Sequence, residues 1–588
     1  MHAPIWLELL LKVSLKSRGR AFSIIWCYIR GYRVRARNRL RDAAAALLPA
    51  YPTWIATFER TARSAQNARE IASAAGQFFA IIILADEGSD RAAIERTLQS
   101  IVRQTVPPRE TIVATPFAPD RSAASGFTSV RHLAVPAGAT TADRLNAAIG
   151  DVDADFLVLV PPGAELAGNA LACLCEAVAA APEATLLFGD EDCLDADGVR
   201  TRPWFKPEWN AELVLAQDYV SRVCAVATSA ARAVGPLPPT VSDCAAYALV
   251  LGISTLPGFA PRRVPHVLHH IPADVVHASP DARCQAITHW FKEARCRPDR
   301  FGTTRVCWPL PAQAPAVTII IPTRDRLDLV RACVDSVLGL TDYPDYAIVI
   351  IDNGSVEPAT LRWFEAIQAD PRVRVERDDR PYNFSALNNA AVDRASSPYV
   401  CLLNNDTEAI ASDWLTEMMR HAARDDVGAV GAKLLYSDRT IQHAGVVIGL
   451  GGAAGHAHRY LPDTEEGYFA VAHSAHAASA VTAACLLVER AKFLAVGGFD
   501  EDNLAIAYND VDLCLKLRRA GWRNIYTPHA VLLHHEGRSR GLDLSPEHLG
   551  RYHEELAVLQ DRWGTREAID PMHHPMLDRV QETYRLRH

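Results

Sequence analysis

The chain has 588 residues, 49% of them apolar and 22% charged, an ordinary globular balance with length for more than one packed core. That excludes a disordered chain, a collagen-like repeat and a small disulfide scaffold. The net charge of −8 is unevenly spread: residues 1–41 hold ten Lys and Arg against Glu8 alone, giving +9, so the remainder carries −17.

Residues 1–75 read as a basic helical arm without strand signals. Their longest apolar run, Ala21-Phe-Ser-Ile-Ile-Trp-Cys-Tyr-Ile29, has nine residues, against about 20 needed to cross a bilayer. With Trp6, Trp26 and Tyr28 beside the arginines, the arm suits the anionic inner leaflet; it also suits packing on the chain's own acidic body. Recurrent arginines and the lack of a small-residue cleavage site argue against a removed signal peptide. The thirteen cysteines sit in apolar contexts such as Leu171-Ala-Cys-Leu-Cys175 without a CxxC motif, so reduced core thiols of a cytoplasmic protein are expected.

The first strand signal is Phe78-Phe-Ala-Ile-Ile-Ile-Leu84. An amphipathic helix over 91–102 and a strand over 111–114 follow it. The same order returns at Val317-Thr-Ile-Ile-Ile321, a helix over 329–338 and a strand over 346–351. Aligning Ile81 with Ile319 gives an offset of 238 residues, the size of a domain and not of a solenoid repeat. The chain therefore reads as α/β, with two tandem Rossmann-like domains of mainly parallel sheet, over 76–308 and 316–588. The Pro-rich 309–315 links them. The stretch 468–488 lacks charged residues, but His473, Ser474, His476, Ser479 and Thr482 interrupt it, so it reads as a buried or site-lining wall and not a membrane span.

Parallel sheets bind ligands at the carboxyl ends of their strands. In the second copy those ends carry Pro322-Thr-Arg-Asp325, Asp352-Asn-Gly-Ser355 and Asn404-Asn-Asp-Thr-Glu408. Oxygen ligands one residue apart, such as Asn404 and Asp406, can hold a hard divalent cation that keeps other positions for phosphate and water. The triplet alone reads more readily as a turn. Asp510 opens a helix, where it serves either as a proton acceptor or as a first-turn acid, a role that also suits Asp512.

Together with the Gly-rich turn Val496-Gly-Gly-Phe-Asp500 and Val531-Leu-Leu-His-His535, this series of motifs resembles the inverting family 2 glycosyltransferases of GT-A fold, in particular the bacterial rhamnosyltransferase-like enzymes of O-antigen and other surface-polysaccharide assembly. The resemblance covers about 75–588. It implies that Pro322, Thr323, Asp325 and Asp352 hold a nucleotide-diphosphate sugar, with Asn388 in the adjoining Asn383-Phe-Ser-Ala-Leu-Asn-Asn389. It also implies that Asn404, Asp406 and His534 bind Mn²⁺ or Mg²⁺, with His535 the alternative to His534. Asp510 becomes the general base. Gly498 and Asp500, and His456 and His458 in the Gly-rich 449–459, fall on the acceptor side, although the two histidines read equally as surface loop residues. The cation would neutralise charge on the departing diphosphate.

The first copy shares the resemblance through Asp190-Glu-Asp192, Trp204-Phe-Lys-Pro-Glu-Trp209 and Gln217-Asp-Tyr-Val220. Pro161 and Gly163 stand where the cation motif belongs, and Asp243 is the only carboxylate near the position of the base. It reads as a degenerate copy, with Asp190, Glu191 and Asp192 in a solvated loop before the Asp197-Gly198 turn. The expected function is sugar transfer to a growing, lipid-linked glycan at the cytoplasmic face, with no nucleic-acid partner. A non-catalytic glycan- or nucleotide-binding component of an assembly complex is the alternative. A dinucleotide-dependent oxidoreductase lacks the GxGxxG it needs.

Overall fold

The computed structural model describes residues 78–587 apart from 86–88, 116–129, 134, 137, 273–274, 276–277, 536–547 and 581, and, within 10–59, parts that include two helices, Arg18–Ile29 and Ala50–Phe58. Two large mixed sheets dominate. In the first, the strand order is Val130–His132, Glu110–Ala114, Phe79–Leu84, Phe156–Val160, Cys224–Ala227, Leu186–Leu194, Pro261–Pro272 and Glu165–Leu166. In the second it is Val373–Arg377, Tyr346–Asp352, Val317–Thr323, Tyr399–Leu403, Cys485–Glu489, Val427–Leu435, Arg523–His534 and Thr407–Ala409. Strand for strand the two orders coincide, and so does the sense of every pairing along them.

The first four strands of each order are parallel. Their runs of Ile, Val and Leu are buried on both faces, as strands covered by helices on either side require. Beyond them the sheets are mixed, because Cys224–Ala227 and Cys485–Glu489 run antiparallel to both neighbours. In the second sheet Thr407 pairs with His534 across the far edge. That register brings the end of the chain's last long strand beside Asp406.

Three expectations are corrected here. Asp190, Glu191 and Asp192 lie within the strand Leu186–Leu194 and are all but fully buried, not in a solvated loop. Glu191 meets Lys206 at 2.8 Å and His269 at 3.1 Å. Asp192 meets Arg200 at 2.6 Å and His270 at 2.6 Å, and the Tyr51 hydroxyl, from the helix Ala50–Phe58, donates to it at 2.5 Å. Asp190 meets His574 at 3.0 Å. Burial without such partners would cost several kcal/mol per ion, on the order expected for desolvated charges. Second, Cys284 and Cys296 form a disulfide, so not every cysteine is a reduced core thiol. Third, the Gly-rich 449–455 is not an open surface loop: a Cβ on Gly449 (φ 88°) would meet the Ala568 carbonyl at 2.4 Å, and Gly452 accepts hydrogen bonds from Gln560 and Thr565.

The two sheets join through the uncharged stretch 468–488. Phe469 stacks on Trp204 at 4.3 Å, and Asn210 exchanges two hydrogen bonds with the backbone of Ala477. Buried Glu212 reaches across to Arg424 at 2.6 Å and Arg523 at 3.2 Å. Among the described residues no helix is long and apolar enough to cross a membrane.

Candidate active site at the strand ends of the second sheet

The strand Tyr399–Leu403 delivers Asn404 and Asp406 to its carboxyl end, and the edge pairing delivers His534 to the same point. The His534 Nε2 lies 3.1 Å from Asp406 Oδ1 and 3.3 Å from the Asn404 amide. Its other nitrogen, Nδ1, sits 2.6 Å from Gln442 Oε1. A proton on Nδ1 satisfies that acceptor and leaves the Nε2 lone pair facing Asp406, the tautomer a metal-ligating imidazole needs. His535 turns away, to Glu408 at 2.6 Å and Ser437 at 2.9 Å. The middle residue, Asn405, donates to the Thr323 hydroxyl at 2.8 Å and so ties the triplet to the first strand.

Asp510, the second residue of the helix Asn509–Arg519, adjoins this point through the backbone. The Asn404 amide donates to the Ala484 carbonyl at 3.1 Å, and the Ala483 amide donates to Asp510 Oδ2 at 3.0 Å. Burial raises the Asp510 pKa above the ordinary carboxylate range, while bonds from Ala483, Thr482 and Val511 oppose the rise. Among the described residues no cation pairs with it. Asp512, two residues along, differs: it is fully buried between Lys516 at 3.1 Å, Arg562 at 2.9 Å and the Trp563 indole at 2.9 Å. Of the two acids that open this helix, Asp510 is available for chemistry and Asp512 holds structure.

Gln442, His443 and Thr482 complete the surround. Burial pushes the His443 pKa down to about 3, so its ring is neutral, with Nδ1 2.8 Å from the Ala432 carbonyl and Nε2 accepting from the Thr482 amide at 3.3 Å. A path of direct contacts thus runs from His534 through Gln442, its chain neighbour His443 and Thr482 to Asp510. No spacing marks these three; the register of the strands Val427–Leu435 and Ile441–His443 brings in Gln442 and His443, and the Thr482 amide meets His443 from the loop before Cys485–Glu489.

The expected nucleotide side is more self-contained. Asp325 Oδ1 accepts from the amides of Val356 and Glu357, both at 2.8 Å. Asp352 is buried, with Arg377 at 2.6 Å and the Ser355 amide at 2.8 Å. Pro322 and Thr323 end the first strand, both buried. Asn388 is fully buried and donates to Phe384 in its own helix, so it lies beneath that surface.

The expected acceptor residues separate. His456 lies against the His443 ring at 5.3 Å, beside the site. His458 is buried under Tyr584 at 4.5 Å, and burial holds its pKa well below the usual imidazole value; it is not a surface loop residue. Gly498 (φ 60°) has no room for a Cβ, which would meet Asn389 and Phe493 at 2.7 Å each. Asp500 is spent on Arg562 at 2.6 Å and on the Asn503 amide at 3.0 Å.

Among the described residues no three His, Cys, Asp or Glu side chains gather as a metal site. The second copy offers one carboxylate, one imidazole and one amide, a mixed oxygen and nitrogen set that fits Mn²⁺ or Mg²⁺ completed by phosphate and water.

The first sheet has the same positions with other residues. Counting from the ends of the matching strands Phe156–Val160 and Tyr399–Leu403, Pro161 replaces Asn404 and Gly163 replaces Asp406. The edge pairing of Glu165 with His270 puts Ile271 level with Ala164, where His534 stands level with Thr407. Counted from their first residues, the helices Ala245–Ser254 and Asn509–Arg519 set Ala246 against Asp510, while Asp243 lies two residues before its helix, in the 3-10 turn Pro239–Cys244 that runs into it.

Residues 318–476 match the Glycosyl transferase family 2 sequence profile. The chain is 40% identical over 451 residues to an uncharacterized protein, y4gI, of Sinorhizobium fredii, covering 74% of this chain and 49% of that one. It is 34% identical over 444 residues to an O-antigen biosynthesis protein of Myxococcus xanthus, covering 73% of this chain and 34% of that one. Over 83 residues it is 42% identical to the N-acetylglucosaminyl-diphospho-decaprenol L-rhamnosyltransferase of Mycobacterium tuberculosis, covering 14% of this chain and 26% of that one. The chain thus spans half or less of the length of these relatives. The chain thus carries a glycosyltransferase family 2 domain, matched over residues 318–476.

Proposed function

We propose that residues 316–588 transfer a sugar, with inversion, from a nucleoside diphosphate to a hydroxyl of a growing surface glycan carried on a lipid. The observation that carries this reading is the convergence of Asp406 and Asn404 on His534, at 3.1 Å and 3.3 Å, with Asp510 tied to the same strand end through the backbone of Ala483 and Ala484. A divalent cation bound there supplies Lewis-acid neutralisation of the diphosphate leaving group. Gln442 orients His534. Asp510 accepts the proton of the attacking hydroxyl on the opposite face, and its raised pKa makes it a stronger base than an exposed carboxylate. The names of the relatives, one for O-antigen biosynthesis and one for a diphospho-decaprenol rhamnosyltransferase, support a polysaccharide acceptor.

The arm supports work at a membrane surface. Phe22, Ile25 and Ile29 are exposed on the helix Arg18–Ile29, within a segment of charge +9. Flotation with vesicles of anionic phospholipid tests this, and Phe22→Asp with Ile29→Asp should abolish it. The central test is release of nucleoside diphosphate from a panel of nucleotide sugars, with and without Mn²⁺. No cation-dependent turnover of any donor would leave the non-catalytic binding role.

A further inference from the structure

We propose that the cleft kept by the first copy is a metal-independent binding site for one neutral sugar ring, such as a unit of a glycan chain. This goes beyond the transfer reading and does not depend on the donor chemistry of the second copy. A cavity of about 260 Å³ opens at the carboxyl ends of the first sheet's strands, the place that the catalytic cleft occupies in the second. Its position is inherited from the fold, but its walls have been rebuilt.

At the end where the second copy gathers Asn404 and His534, the first presents Pro161 and Ile271, continued by Val160 and Ala278. These side chains offer no ligand to a cation. A diphosphate would also find no net positive cradle. Arg222 is committed to buried Glu191 at 2.5 Å, and Asp218 and Asp243 both line the opening. These groups disfavour an anion, and a neutral amphipathic ligand matches an apolar floor under a polar rim.

The rim supplies both kinds of hydrogen bond that sugar hydroxyls require. Asp243 is exposed at the mouth as an acceptor. The Ser242 oxygen accepts from the Ala142 amide at 3.4 Å and keeps its proton to donate. Arg283 lines the cleft, is 7% exposed and donates one guanidinium nitrogen to the Gly302 carbonyl. A sugar ring has the matching form, with C–H groups for the floor and hydroxyls for Asp243, Ser242 and Arg283. The volume falls just under the roughly 300 Å³ at which drug-sized sites begin, so it suits a single ring.

The test is saturation-transfer NMR on the full chain in EDTA, with the methyl glycosides of L-rhamnose, D-mannose, D-galactose and D-glucose as probes. At least one probe should receive saturation. The signal should persist in Asp406→Ala and Asp510→Asn, vanish in Ala246→Phe, which fills the cleft, and fall at least threefold in Asp243→Ala. Should Ala246→Phe fail to fold, the surface variant Asp243→Ala decides. No transfer to any probe, an unchanged signal in Asp243→Ala, or loss of signal in Asp406→Ala would overturn the proposal. Cation-dependent donor turnover, measured separately, should survive Asp243→Ala, so failure here leaves the transfer reading standing and failure there leaves this one.

Discussion

The two sheets of this chain agree in strand order, in the sense of each pairing and in the short edge strand that closes the order, yet they disagree at four positions. Asn404, Asp406, His534 and Asp510 face Pro161, Gly163, Ile271 and Ala246 as their counterparts. Each substitution lies at or next to a strand end or helix start. Scaffold and chemistry are therefore separable here: apolar strands fix where a cleft forms, and a handful of terminal residues fix what it can do. The first copy keeps the strand order and carries none of those four residues at the matching places.

The most forceful way to break that comparison is to remove the base. Asp510→Asn should lower turnover by about 10²- to 10⁴-fold, the usual weight of general base catalysis, while nucleotide affinity stays near that of the native protein. Native-like turnover by this variant would mean that the proton leaves by another route. Placing a carboxylate at the matching position of the first copy, Ala246→Asp, should restore nothing, because Pro161, Gly163 and Ile271 remain.

Next in size is the histidine's support. Gln442→Leu should weaken Mn²⁺-dependent nucleotide binding by about 10- to 100-fold, the typical effect of losing a partner that orients a ligating imidazole. Calorimetry with nucleoside diphosphate at fixed Mn²⁺ reads this directly, and Asp406→Ala should exceed it. An unchanged affinity in both variants would remove the cation from this corner of the fold.

A third variant asks what the first copy contributes mechanically. Burial pushes the Glu212 carboxyl up, but Arg424 and Arg523 outweigh burial and hold it at about 2. His421, also close, is neutral above about pH 4 because burial depresses its pKa, so the two arginines supply the charge at neutral pH. Glu212→Gln should cost about 1.5–3 kcal/mol of unfolding free energy at pH 7, as for a hydrogen bond between charged groups. The sign with pH follows from the depressed value. The stabilisation is complete above the unfolded carboxylate pKa near 4.3 and is lost as pH falls toward 2, so variant and native midpoints should converge in acid. Parallel curves at every pH would show that Glu212 is not ionised at the junction.

Much of this was legible in the sequence because it depends on short-range pattern. The runs at Ile81 and Ile319 announce the repeat, and polar residues straight after apolar runs, such as Asn404 to Asp406, announce strand ends. What depends on register was not legible. Ile271 and His534 correspond only through their edge pairings, 263 positions apart. Gln442 and Thr482 have no motif at all. Asp190, Glu191 and Asp192 looked solvated because three adjacent acids seldom enter a strand; the partners that make burial tolerable, Lys206, His270 and His574 among them, come from distant parts of the chain.

That burial decides how the smallest expected effect must be measured. A variant of the first copy that leaves the chemical step unchanged is informative only if the protein remains folded. Changing Asp190 and Asp192 together would strip partners from His574, Arg200 and His270 and report on stability instead. Asp243 is exposed, sits outside its helix and lines the first cleft without an ion pair among the described residues. Asp243→Asn should therefore leave kcat within about twofold of native, because the residue in the place of the base is Ala246, and neutral Asn keeps the volume of the side chain. KM for a long acceptor should rise if glycan docks in that cleft, and KM for a short acceptor should not. A loss of kcat comparable to that of Asp510→Asn, in a protein with a native melting curve, would make the first copy a second active site and the coincidence of the two folds a coincidence of function as well.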